Sequence, residues 1–130
     1  MFDFCAHIVR QMVFSKATFG LGPRTNGVLN HIEKEVEEVR KEFSKMIARD
    51  PTSSGHHSLS KEWVDLVILS LDGLTRSVWA TYPHLKAREI APMVIDMIED
   101  KQGKNELRDW PDWRTADPEN AIEHVRGKHD

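Results

Sequence analysis

The sequence predicts an all-α protein, and three observations carry the prediction. Apolar residues recur at helical spacing through most of the 130 residues, no segment alternates with period two long enough for a strand, and Gly/Pro clusters separate the helical patterns. The simplest architecture is a four-helix bundle with an appended C-terminal helical tail, in one domain over 1–130.

Each element has its own signal. From Phe4 to Ser15, the residues Phe4, Ile8, Met12 and Val13 fall at helical spacing and give a first helix. The glycine-rich stretch from Phe19 to Gly27 ends it in a turn. Between Val28 and Arg49, Leu29, Ile32, Val36, Val39, Phe43 and Met46 step alternately by three and four, the seam of a second, packed helix. Asp50, Pro51 and Thr52 break it, and the serine-rich loop runs on through His56 and His57 to about Ser60. A third helix follows from Lys61 to Trp79. It is apolar almost all round between Trp63 and Leu71, which makes it the central one. After a Tyr82-Pro83 turn, a fourth pattern runs from Lys86 to about Leu107 with Ile90, Val94, Met97 and Ile98 on one side. Pro92 either kinks this helix or opens it at its first turn. Asp117-Pro118 marks a fresh helix start in the tail, with Asp as cap and Pro at the first helical position.

Composition excludes several classes. Val, Ile, Leu and Phe supply 32 residues, about a quarter of the chain, enough for a core and too many for a disordered protein. No apolar run reaches the ~20 residues that span a bilayer, so no membrane partner is expected. The start Met1-Phe2-Asp3-Phe4 lacks the features of a signal peptide, which predicts a cytoplasmic protein. A net charge of −3 leaves no footprint for nucleic acid. With Cys5 as the single cysteine, any metal is held by oxygen and imidazole rather than thiolates.

Two acidic pairs carry the chemistry. Glu35 and Glu38 on the second helix, and Glu62 and Asp65 on the third, are each spaced i, i+3 and share a helical face. Two facing helices would gather four mutually repelling carboxylates, an arrangement that needs cations, and hard oxygen donors favour Mg²⁺ or Mn²⁺. The competing reading makes Glu35 and Glu38 a solvated flank, since Glu33, Glu37 and Glu42 share that helix. Asp65 sits among Trp63, Val64, Leu66, Val67, Ile68 and Leu69, where a buried carboxylate would need a partner. Asp72 lies on the same stripe with Arg76 beyond it, as an ion pair or a further ligand. Lys101, Asn105 and Arg108 fall at i, i+4 and i+7 near the end of the fourth helix, either gripping phosphate oxygens or completing a cationic helix terminus. A di-iron carboxylate bundle would require Glu-x-x-His on two helices, and neither acidic helix has it. The non-enzymatic alternative is an all-α interaction module with a solvated acidic face.

Glu-x-x-Glu, 23 intervening residues, Glu-x-x-Asp and then Lys-x-x-x-Asn-x-x-Arg resembles the MazG-like all-α nucleoside triphosphate pyrophosphohydrolases. Three further segments, Thr18 to Thr25, His31 to Glu35 and Trp110 to Arg114, resemble the bacterial and phage dATP/dGTP pyrophosphohydrolase branch. The likeness runs from about Phe14 to Arg126; the stretch from Tyr82 to Pro92 departs from the shorter connection expected. The resemblance implies cleavage of a (deoxy)nucleoside triphosphate, with a purine base such as dGTP, GTP or dATP, to the monophosphate and pyrophosphate. It implies that Glu35, Glu38, Glu62 and Asp65 hold two or three Mg²⁺ or Mn²⁺ ions, with Glu38 also taking the proton of the attacking water. Lys101, Lys104, Asn105 and Arg108 would bind the β and γ phosphates. Phe14, Phe19 and Trp110 are stacking partners for the base or simply core aromatics, and His31 is a partner of Glu35 or a surface residue. The resemblance further implies a homodimer or homotetramer in a bacterial cytoplasm, that of the host if the chain is phage-encoded.

Overall fold

The computed structural model describes residues 1–49 and 53–127, with backbone only at 53 and 54. Among them are four α-helices, α1 (Phe4–Phe19), α2 (Thr25–Arg49), α3 (Ser53–Thr81) and α4 (Ala87–Leu107), a single 3-10 turn over Trp113–Thr115, and no strand. The chain divides into two compact units, Met1–Val94 and Ile95–Asp130, and the division falls inside α4.

In the first unit, α3 packs against both α1 and α2 and is the central helix, as its composition suggests. Helix α1 starts at Asp3, whose carboxylate accepts the Ala6 N–H at 3.1 Å, and it continues one turn past Ser15. It ends at Gly20, where φ of +93° with ψ of −176° is backbone that a side chain resists. Ile8, Met12 and Ser15 form its buried stripe, and Val13 faces outward. Helix α2 buries Val28 and Met46 and half-buries Ile32, Val36 and Val39 between them, while Leu29 and Phe43 of the expected seam are exposed. Val28 lies against Gly73, and Glu35 lies against Glu62 and Asp65, so α2 and α3 run antiparallel.

Helix α3 starts at Ser53, so the expected loop from His56 to Ser60 is helical instead; Asp50, Pro51 and Thr52 lie outside the described residues. Gly55 is buried there, and Ser60 Oγ donates to the His56 carbonyl one turn back, so packing and back-bonding override a composition that reads as loop. The indole N–H of Trp79 donates to the Leu85 carbonyl at 2.8 Å and latches the turn between α3 and α4. Glu89 then accepts the Lys86 N–H at 2.7 Å, half of a capping box that starts α4. Pro92 sits in the second turn of α4 rather than its first, in a helix whose Ile90, Ala91 and Val94 are wholly buried.

The second unit holds the end of α4 and the tail. The helix expected after Asp117 does not form. Asp117 caps a single turn, accepting from the Glu119 N–H at 2.9 Å and, through its carbonyl, from the Asn120 N–H. The chain then extends so that the Val125 N–H donates to the Asp109 carbonyl at 2.7 Å, a bond that a continued helix would forgo.

Candidate active site

Antiparallel packing of α2 on α3 brings Glu35, Glu62 and Asp65 together, each offering a carboxylate oxygen within 4.8 Å of the others. The i, i+3 spacing on α3 puts Glu62 and Asp65 on one face, and the facing turn of α2 supplies Glu35. Burial pushes the Glu62 carboxyl above its ordinary value, and Asp65, Glu35, Glu38 and Glu42 push it further in the same direction. Among the described residues no Lys or Arg pairs with Glu62 or Asp65. His31, one turn before Glu35, places Nε2 at 3.6 Å from its carboxylate and so stands beside the cluster. Three hard oxygen donors from two helices, with no soft ligand among them, are a donor set suited to a divalent cation of the Mg²⁺ or Mn²⁺ kind.

Two sequence expectations change here. Asp65 is exposed rather than buried among apolar neighbours, because Trp63, Val64, Val67 and Ile68 themselves face outward on α3. Glu38 is not among the three converging oxygens; its side chain is half exposed and lies 3.4 Å from Lys41 Nζ. Glu42 was not singled out in the sequence, yet it contributes to the field on Glu62. Its position, seven residues after Glu35 and four after Glu38, continues the same helical stripe and was the available signal.

The buried carboxylate of α3 is Asp72. Its Oδ1 accepts from Arg76 Nε at 3.0 Å and from Ser15 Oγ at 2.6 Å. Arg76 also donates to the carbonyls of Gly20 and Gly22 through Nη1 and to Ser15 through Nη2, so all five of its N–H groups are used. Asp72 with Arg76 is thus the ion pair of the two roles open in the sequence, and it pins the glycine turn. Arg24, at φ +47°, follows that turn and leads into α2, with its guanidinium 5.6 Å from the Phe19 ring centroid. Phe19 meets Phe14 edge-on, and both are exposed rather than core.

The second unit carries the remaining candidates. Lys101 and Lys104 are exposed on α4. Arg108 lies just past the helix end and donates from Nη1 to Asn105 Oδ1 at 3.2 Å. Trp110 donates its indole N–H to the Asn105 carbonyl at 2.7 Å and meets the His124 ring edge-on.

The model of the dATP/dGTP pyrophosphohydrolase family fits residues 8–128. No curated protein and no solved structure matches the chain.

Proposed function

We propose, from the premise that the chain belongs to the dATP/dGTP pyrophosphohydrolase family, that it cleaves purine deoxynucleoside triphosphates to the monophosphate and pyrophosphate at the carboxylate cluster of α2 and α3. The observation that supports this placement is the convergence of Glu35, Glu62 and Asp65 within 4.8 Å. These three, with Glu38 one turn after Glu35 on α2, would hold two or three Mg²⁺ or Mn²⁺ ions, which would supply positive charge for the phosphate oxygens and lower the pKa of a water.

The reaction forms one bond, from a water oxygen to the α-phosphorus, and breaks one, from the α-phosphorus to the oxygen it shares with the β-phosphorus. The electron pair of the broken bond leaves on pyrophosphate. Glu38, which stands apart from the converging oxygens, takes the water's proton on its carboxylate. Lys101, Lys104, Asn105 and Arg108 bind the β and γ phosphates; the Asn105–Arg108 bond already fixes two of these side chains against each other. Phe19 and Trp110 are the aromatic candidates at the substrate. We take 1–130 as one functional domain, because the family match spans both compact units. The exposed apolar residues Trp63, Val64, Val67 and Ile68 of α3 support assembly into a dimer or tetramer. No helix among the described residues is long and apolar enough to cross a membrane, in keeping with a cytoplasmic enzyme.

Product analysis tests the proposal. With dGTP or dATP and Mg²⁺ or Mn²⁺, the expected primary products are dNMP and pyrophosphate; dNDP with inorganic phosphate would refute attack at the α-phosphorus.

A further inference from the structure

The carboxylates leave unused a cavity of about 280 Å³ beside the C-terminal half of α3, walled by α1, the Gly20 to Pro23 turn and α3. This volume is at the small end for ligand sites, enough for one fused ring system and too little for a nucleoside triphosphate. Ser15, Lys16, Asp72, Thr75 and Trp79 supply its polar and aromatic lining. Asp72 and Thr75 are only 6% and 3% exposed. Asp72 spends Oδ1 on both of its hydrogen bonds, and among the described residues no donor reaches Oδ2. Arg76 has no N–H left for a ligand. Arg76 lines the cavity together with Asp72, and the hydrogen-bonding group that this ion pair leaves free is an acceptor, Asp72 Oδ2. Across the Trp79 ring stands Lys16, its ammonium 5.2 Å from the ring centroid and without a carboxylate partner among the described residues.

An indole flanked by a carboxylate acceptor and an ammonium donor matches one nucleobase better than the rest. Oδ2 is the one oxygen of this carboxylate left to a ligand, and two adjacent N–H donors can converge on it; guanine alone of the four DNA bases presents such a pair, at N1 and N2, next to an O6 that accepts from an ammonium. Adenine offers the carboxylate one amino group and the lysine only a ring nitrogen. Position agrees with this reading. Asp72 lies seven residues after Asp65 on one stripe of α3, about 10 Å along the axis at 1.5 Å per residue. That is comparable to the separation of the α-phosphorus from the far edge of the base in a nucleotide.

We infer that this cavity is the base subsite of the substrate and that Asp72 Oδ2 and Lys16 Nζ select guanine there. The inference rests on the pyrophosphohydrolase reading above, and its test separates the two. Asp72 is too deep in the fold for a clean variant, so Ala80→Phe fills the cavity from an exposed lining position and Lys16→Met removes the donor alone. Ala80→Phe should raise KM for dGTP and dATP roughly tenfold or more, and Lys16→Met should raise KM for dGTP by about as much while sparing dATP. Unchanged KM in both variants overturns the subsite. A titration of metal-free protein with dGMP, followed at the Ser15 and Thr75 amides and the Trp79 indole N–H by NMR, decides the matter independently of turnover. Saturable shifts that Ala80→Phe abolishes support the subsite even if no pyrophosphate is ever released, an outcome that would defeat only the enzyme reading. The absence of shifts with dGMP, or equal shifts with dAMP, overturns guanine selection.

Discussion

Asp72 and Arg76, one turn apart on α3, form a buried ion pair at 3.0 Å whose guanidinium also holds the carbonyls of Gly20 and Gly22. One side chain thus fixes the exit of α1 and the approach to α2, and with them the wall of the cavity. Removing one member of such a pair strands the other charge in the interior. Arg76→Met should cost about 3–5 kcal/mol of unfolding free energy by denaturant titration, and the double change with Asp72→Leu should cost less than that single one.

Gly20 supports the same turn from the backbone. At φ +93° and ψ −176°, with nothing within 4 Å of an added Cβ, the penalty for a side chain is purely conformational. Gly20→Ala should destabilise by about 1–3 kcal/mol, visible as a lower Tm with an unaltered far-UV spectrum. A change within a few tenths of a kcal/mol would mean the turn relaxes freely.

Glu62 makes stability of the metal-free protein depend on pH. Burial and the neighbouring acids raise its pKa above the ordinary 4.5, so the folded state holds this proton more tightly than the unfolded chain does. Its contribution is fully present below the ordinary carboxylate value and is lost as pH rises through the raised one. Melting curves in a chelator from about pH 4 to pH 7 should show this component, and Glu62→Gln should flatten it. Divalent-cation affinity should run the opposite way, falling as acid protonates the cluster.

The helices and the acidic pairs were legible because both depend on local spacing. Four apolar patterns at period 3.6 gave four helices, and i, i+3 acids on two of them gave a cluster once those helices packed antiparallel. What spacing cannot say is which face of an apolar helix meets its own chain. Asp65 therefore read as buried, although Trp63, Val64, Val67 and Ile68 around it face outward. The role of Asp72 needed the third dimension, since its partner Ser15 is 57 residues away and Gly20 and Gly22 reach Arg76 only in the fold. The tail was misread for a related reason. Asp117 caps as its sequence suggests, but the long-range bond from Val125 to Asp109 replaces the helix that the cap would have started.

Lys101→Ala and Arg108→Ala test the phosphate contacts. Each removes a cation assigned to the β and γ phosphates, so triphosphate affinity by calorimetry should fall roughly ten- to a hundredfold while affinity for Mn²⁺ alone holds. Because Arg108 also donates to Asn105 Oδ1, Asn105→Ala should weaken binding in the same direction. Equal affinity in all three variants would remove these residues from the substrate site.

The proposed reaction is cleavage of a triphosphate at its α-phosphorus by the site that the convergent carboxylates of α2 and α3 form. Its most direct test is pyrophosphate release from dGTP and dATP in Mg²⁺ or Mn²⁺ by the wild-type chain and by Glu62→Gln with Asp65→Asn. Wild type should yield dNMP and pyrophosphate, and the double variant should be inactive yet at least as stable in the metal-free state, since two repelling charges are gone. Full turnover in a folded double variant would contradict the account.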